Sequence, residues 1–393
     1  MIGIDLTPYG FNIAGKTYSE VRQFKKELVA YAKAGGIINV SIHFTNPSGI
    51  KTDEEYNHCR GSLGNYSRLT QYENVYQALY TAPTSESTKL QRTIYENFNA
   101  ELELFAEFLG ELKYNGVPVL YRPLHEMNGN WFWWGIGQRS FEDKDDDGLM
   151  DVDANGVYEV TNTYWINPEY YKNLYRHVYN YFTNTCGLDN ILWVYAPDIS
   201  SNSNYDASTC YPGDEFVDIA GVDWYTDVPR GGALEIDTTG SYNKLFGEGG
   251  SATSKIGAIT EFGPRNNANY AWLVGQYGSD TGTWGDGLYL GDKQSDYYSC
   301  VNFYEDLMAL KDKGYSFAYT LSWINQWSVM KMGKGWTFME KGTLSDLKRL
   351  LRDWALRSLS NQKQVKIKLF CALRQSDQTD CQEGNIMLQH WQN

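Results

Sequence analysis

The sequence predicts an α/β protein of the (β/α)8 TIM-barrel class that lacks the barrel's first strand at its N-terminus. Three observations lead there. Seven short runs rich in β-branched and aromatic residues recur along the chain, helical spacing fills the gaps between them, and Met1 stands almost directly on the first run. The strands are expected at Ile2–Leu6, Ile37–Phe44, Val117–Tyr121, Ile191–Tyr195, Ile219–Trp224, Ile256–Ile259 and Phe317–Trp323. Between the first two, Val21, Phe24 and Leu28 recur at helical period before the stop Gly35-Gly36. Before the third, Leu102, Phe105, Phe108 and Leu112 do the same and halt at Gly116. Further helices are expected at about 167–183, 296–313 and 344–358. A closed barrel of this type needs eight strands, so the absent unit is expected ahead of Met1.

Composition narrows the function. The 393 residues are 42% hydrophobic and 21% charged, enough to bury a sizeable core. No run approaches the roughly 18 apolar residues of a membrane span, and no basic stretch with an apolar core opens the chain as a leader would. The formal charge of -14 has the wrong sign for a phosphate backbone or an anionic membrane surface, so neither nucleic acid nor membrane is an expected partner. Aromatics make up 15%, with 31 Tyr and 13 Trp. That surplus suits either an aromatic-rich core or a cleft in which flat rings stack on sugar faces.

Two segments carry acid chemistry. The first is Tyr121-Arg122-Pro123-Leu124-His125-Glu126-Met127-Asn128-Gly129-Asn130-Trp131-Phe132-Trp133-Trp134-Gly135, directly after the third apolar run. Strand C-termini form the active face of a (β/α)8 barrel, so Glu126 is expected there beside Arg122, His125 and indoles that would raise a carboxyl pKa. The second is Thr260-Glu261-Phe262-Gly263-Pro264, which again offers a Glu at a strand end. Two such glutamates in an aromatic cleft point to glycoside hydrolysis, in which one carboxyl protonates the leaving oxygen and the other attacks the anomeric carbon or activates water. The plainer alternatives are structural pairing of Glu126 with Arg122 or His125 and a rim salt bridge at Glu261. Consecutive residues cannot all face one cleft, so about half of Trp131, Phe132, Trp133 and Trp134 are expected to touch sugar.

The Arg122–Gly135 motif with Thr260-Glu261-Phe262-Gly263 resembles glycoside hydrolase family 26, the endo-β-1,4-mannanases. The likeness continues in Gly35-Gly36-Ile37-Ile38-Asn39-Val40-Ser41-Ile42-His43-Phe44-Thr45-Asn46-Pro47, in Asp223-Trp224-Tyr225 and in Ser322-Trp323-Ile324-Asn325, covering about residues 1–330. It implies a retaining mechanism on a (β/α)8 barrel with Glu126 as acid/base and Glu261 as nucleophile. Tyr225 then matches a tyrosine beside the nucleophile, and Trp323 the aromatic floor of the −1 subsite. His43, Arg122, His125 and Trp131 match other sugar-contacting positions. The resemblance also counts the strand before Glu126 as the fourth and that before Glu261 as the seventh, which again makes strand one the missing one. It implies a secreted, monomeric enzyme acting on mannan, glucomannan or galactomannan with no cofactor for catalysis. The same family holds β-1,3-1,4-glucanases and β-1,3-xylanases, and a non-catalytic β-glycan binder is the rival of another class.

Three further readings complete the sequence. The insertion between Phe141 and Tyr158 puts Asp143, Asp145, Asp147 and Asp151 at positions 1, 3, 5 and 9 of a calcium loop turning at Gly148. The bidentate position is Ala154, so a solvated acidic loop is the alternative to a structural calcium ion. Six cysteines show no zinc spacing, and Cys186 and Cys210 are the closest pair in the main body. Residues 326–393 hold 11 Lys+Arg against 6 Asp+Glu, in contrast to the acidic body. We therefore divide the chain into a catalytic barrel at 1–360 and a disordered or foreign tail at 361–393.

Overall fold

Parallel strands joined by crossover helices carry the computed structural model, which describes residues 1–8, 10–49, 58–64, 66, 68–141, 160–199, 205–227, 240–265, 314–315 and 317–322. Described residues fall into two compact units, 1–194 with 210–218 and 195–209 with 219–322.

The first unit contains β1 (Ile2–Asp5), β2 (Ile38–Ile42), β3 (Val119–Pro123), β4 (Gly137–Phe141), β5 (Val160–Trp165) and β6 (Ile191–Tyr195). Its parallel order is β1-β2-β3-β6, with Ile2 opposite Ile38, Ile38 opposite Val119, and Val119 opposite Ile191. The crossovers are α1 (Tyr18–Lys33), α2 (Leu69–Gln77), α3 (Lys89–Tyr114) and α4 (Pro168–Asn180). Strands that alternate with helices in this way form the repeating unit of the (β/α)8 class.

Local chemistry sets the helix ends. At the start of α1 the Thr17 hydroxyl accepts from Glu20 N (3.3 Å) while the Glu20 carboxylate accepts from Thr17 N (2.8 Å). Thr88 and Gln91 repeat this box on α3, and α4 starts with Asn167 as cap and Pro168 in its first turn. Both α1 and α3 stop where the sequence predicts, at Gly35 and Gly116, whose φ of 93° and 70° only glycine adopts cheaply. Along α3 the buried residues Ile94, Phe98, Leu102, Phe105, Phe108, Leu109 and Leu112 contain the predicted helical positions.

Strand β2 explains the site to come. Its residues Ile38-Asn39-Val40-Ser41-Ile42 alternate apolar and polar, yet all five are buried. Alternation puts Asn39 and Ser41 on one face and Ile38, Val40 and Ile42 on the other. Arg122 of β3, fully buried, is the register partner of Ser41 and shares its face. One side of this sheet is therefore a buried polar surface, which an ordinary core avoids.

Antiparallel β4 and β5, absent from the sequence reading, flank the acidic insertion. Asp143, Asp145, Asp147 and Asp151 lie between them, outside the described residues. So do the helices expected at 296–313 and 344–358 and the tail at 361–393. Cys186 and Cys210 are not paired with each other, the first being exposed and the second buried.

The second unit holds β7 (Ile219–Asp227), α5 (Ser241–Phe246), β8 (Ile256–Arg265) and β9 (Thr320–Ser322), with the three strands parallel in that order. Together with the first unit, this gives all seven predicted strands, β8 running six residues further and β9 shorter. Among the described residues, no helix is long and apolar enough to cross a membrane.

Candidate active site

The first unit holds Glu126 just past the end of β3, on backbone that few residues tolerate. Leu124 and Glu126 have φ of 53° and 52°, the only described non-glycine residues at positive φ. Such conformations cost about 1–3 kcal/mol each and persist where the surroundings over-determine them. Those surroundings are specific. Tyr171 Oη donates to Leu124 O (3.0 Å), Trp134 Nε1 to His125 O (2.7 Å), and Gly129 N to Glu126 O (3.1 Å). The carboxylate is held too, since Trp131 Nε1 donates to Glu126 Oε2 at 2.5 Å.

The four aromatics divide by role. Trp133 and Trp134 are 0% exposed, and Trp133 Nε1 donates to Phe44 O (2.8 Å). Phe132 is buried and stacks on Trp134 with ring centroids 4.4 Å apart. Trp131 alone is half-buried, so one of the four keeps surface for a ligand instead of the expected half.

Behind Glu126 runs a buried polar chain. Asp5 Oδ2 lies 2.6 Å from His43 Nδ1, and His43 Nε2 lies 3.1 Å from His125 Nε2. His58 Nε2 reaches His43 O at 2.7 Å. Burial, with the charges of Arg122 and His43, holds the His125 imidazole well below the usual histidine value, so it is neutral at neutral pH. The sequence reading found His43, Arg122 and His125 but missed Asp5. Nothing about an aspartate closing the run Ile2-Gly3-Ile4-Asp5 separates it from a surface strand end.

Glu101 on α3 was missed as well. Its carboxylate accepts from Thr45 N (3.0 Å) and Thr45 Oγ1 (3.1 Å), and burial pushes its carboxyl up to about 8.

The second unit holds Glu261, 4% exposed, within β8. Pairing along β7 and β8 steps from Val222–Ile259 to Asp223–Glu261, leaving Thr260 as an extra residue. Pairing with β9 slips over the same stretch, from Ile259–Thr320 to Phe262–Ser322. A bulge of this kind re-aims the side chain that follows it. Thr260 Oγ1 donates to Asp223 Oδ1 at 2.6 Å, and Asp223 is fully buried. The backbone of Asp223 is pinned in turn by its N–H to Pro197 O (2.9 Å) and by Ile199 N to its carbonyl (3.0 Å). Asp223 and Thr260 were not read as site residues, although both stand beside residues that were.

Tyr225 lies on β7 opposite Gly263, with only its backbone described. Trp323 falls outside the described residues. Each unit thus offers one glutamate, just past the end of β3 in the first and within β8 in the second, with its geometry enforced by neighbours. That is what acid/base or nucleophilic carboxylate chemistry requires.

Known proteins share this arrangement in sequence. The model of glycosyl hydrolase family 26 matches residues 9–261, a span that takes in Glu126 and ends on Glu261. A mannan endo-1,4-beta-mannosidase of Bacillus subtilis (strain 168) is 31% identical over 303 residues, 77% of this chain and 60% of that protein. A second from Bacillus subtilis is 36% identical over 205 residues, 51% of this chain and 44% of its own length. The chain thus spans about half of the curated relatives it matches. The crystal structure of the YdhT protein from Bacillus subtilis aligns with TM-score 0.50 and 27% identity over 83% of this chain and 71% of that one. With 253 consecutive residues matched, the chain belongs to glycosyl hydrolase family 26.

Proposed function

We propose that this chain is a retaining endo-β-1,4-mannanase that cuts mannan, glucomannan or galactomannan backbones by double displacement. The observation that carries the reading is the family match across both glutamates, joined to two relatives named mannan endo-1,4-beta-mannosidase. In the first step a Glu261 carboxylate oxygen bonds to the anomeric carbon as the glycosidic C–O bond breaks, and Glu126 gives its proton to the leaving oxygen. In the second, Glu126 takes a proton from water, the water oxygen bonds to the anomeric carbon, and the ester to Glu261 breaks. Trp131 Nε1 donates to Glu126 Oε2, one of the two oxygens of the carboxyl that exchanges the proton on this reading. His43, Arg122, His125, Trp131, Tyr225 and Trp323 contact sugar on this reading.

Neither step requires a metal. A calcium ion on Asp143, Asp145, Asp147 and Asp151 would be structural, and an unchanged melting temperature with chelator would exclude it. A polymeric substrate suits a secreted monomer. Reducing-end release from glucomannan, galactomannan, lichenan and β-1,3-xylan, with Glu261→Ala as control, tests the proposal. Fastest release from the first two supports it. Preference for lichenan or β-1,3-xylan would assign another glycan, and binding without release would leave a carbohydrate binder.

A further inference from the structure

We propose that the outward face of the β4/β5 hairpin is a sugar subsite adjoining Trp131, where the Trp165 indole stacks on one hexopyranose unit of a β-glycan chain and Arg139 and Thr163 bind its hydroxyls. The proposal extends the reading of this chain as a glycan hydrolase and rests on it.

Register sets the two faces of the hairpin. Gly137 stands opposite Trp165, Gln138 opposite Tyr164, and Arg139 opposite Thr163. Side chains alternate along a strand, so Arg139, Thr163 and Trp165 share one face with Gly137, while Gln138 and Tyr164 share the other. That other face points inward. Gln138 is fully buried, its Nε2 donating to Trp133 O (2.8 Å) and Gly135 O (2.7 Å), and Tyr164 packs on Tyr72 with ring centroids 5.2 Å apart. Arg139, Thr163 and Trp165 are all half-buried. A tryptophan needed only to pack the hairpin down would belong on the inward face, which these other residues already fill.

A pair of glycines joins this face to Trp131. Gly137 N donates to Gly129 O at 3.2 Å. An indole lies against each glycine, since a Cβ at Gly129 would stand 2.3 Å from the Trp131 ring and one at Gly137 2.8 Å from the Trp165 ring. Two half-buried indoles are thus seated on two bonded residues. Asn130, next to Trp131 in the chain and against Gly137, ties in the polar groups. Its Oδ1 accepts from Arg139 Nη2 (3.0 Å) and its Nδ2 donates to Thr163 Oγ1 (3.4 Å).

A pyranose presents an apolar C–H face and a rim of hydroxyls. An indole suits the first, while a guanidinium that only donates and a hydroxyl that does both suit the second. Asn130 holds the guanidinium in place before a ligand arrives, which lowers the ordering cost of binding. Trp131 donates to Glu126, so a glycan whose scissile bond lies at Glu126 and which runs over Trp131 meets Trp165 next.

Hydroxyl-radical footprinting with peptide mass spectrometry reads the oxidation of each tryptophan separately. It should be done on Glu261→Ala, which leaves the glycan uncut, with mannohexaose, cellohexaose or laminarihexaose. Mannohexaose is expected to slow oxidation of Trp131 and Trp165 severalfold each. By calorimetry in the same background, Trp165→Ala should raise the mannohexaose Kd about tenfold or more and Arg139→Gln about threefold or more. Tyr164→Phe, on the inward face, should leave it unchanged. Protection of Trp131 without Trp165, which needs no further variant to fold, would overturn the subsite and leave the hydrolase reading standing. An unchanged Kd in a folded Trp165→Ala would do the same. Protection of neither tryptophan by any of these glycans would overturn both.

Discussion

Glu126 and Glu261 solve one problem, aiming a carboxyl from a parallel strand, in two different ways. Glu126 sits beyond its strand on left-handed backbone, held by an indole and by hydrogen bonds to the carbonyls around it. Glu261 sits inside its strand and is turned by an extra residue whose hydroxyl is tied to a buried aspartate. The first device is built from a contiguous stretch, the second from residues on two strands. Glu126 thus has an environment that one segment can tune, whereas Glu261 depends on sheet register.

Substitutions at the two ends should separate these devices. The largest effects come from the glutamates themselves. Glu261→Ala should lower kcat/KM by about 10⁴-fold or more on every substrate. Glu126→Ala should cost about 10²–10⁴-fold on polysaccharide but much less on aryl mannosides whose leaving groups need no proton. Equal losses on both substrate types would erase the distinction between the roles.

Next in size is the bulge. Thr260→Val removes the donor to Asp223 and leaves a buried carboxylate oxygen short of a partner, a loss of about 1–3 kcal/mol in denaturant unfolding, with a further fall in kcat. Wild-type stability would mean that the bulge is held by something other than this bond. At the other end, Trp131→Phe keeps the ring but removes the donor to Glu126. A bond to the charged form lowers a carboxyl pKa, so its loss should move the basic limb of the pH–rate profile to higher pH, with a severalfold fall in kcat. A limb that moves to lower pH would contradict the assignment of that bond.

The smallest effect comes from a carboxyl on α3. Glu101, pushed up to about 8 when folded, holds a proton in the native state that the unfolded chain loses near pH 4.5. Its contribution to stability therefore falls as pH rises from about 4.5 to 8 and levels off above that. Glu101→Gln should flatten this slope, raising Tm by a few degrees at pH 8 and leaving it nearly unchanged at pH 4.5. An unchanged difference in Tm across that range would remove Glu101 as its source.

How legible each region was in the sequence follows from the same contrast. All seven strands were found from their β-branched and aromatic residues, although β1 is largely exposed and β2 alternates apolar and polar residues. Glu126 was marked by fourteen consecutive residues, several of which bond to one another. By contrast, the predicted strand stops at Ile259 because Thr260-Glu261 breaks the apolar run, yet β8 continues to Arg265 through the bulge. Thr260 meets Asp223 37 residues away, and Asp5 meets His43 38 residues away, separations that no single-sequence period encodes. The β4/β5 hairpin escaped because Gln138-Arg139-Ser140 and Thr161-Asn162-Thr163 carry almost no apolar alternation.

The most direct test of the division of labour is to trap the covalent intermediate. A 2-deoxy-2-fluoro-mannoside with a good leaving group slows release of the glycosyl-enzyme, and peptide mass spectrometry then identifies the labelled residue. The expected result is a single glycosyl adduct on Glu261, formed faster than it is hydrolysed and absent in Glu261→Ala. An adduct on Glu126, or turnover with inverted anomeric configuration and no adduct, would contradict it.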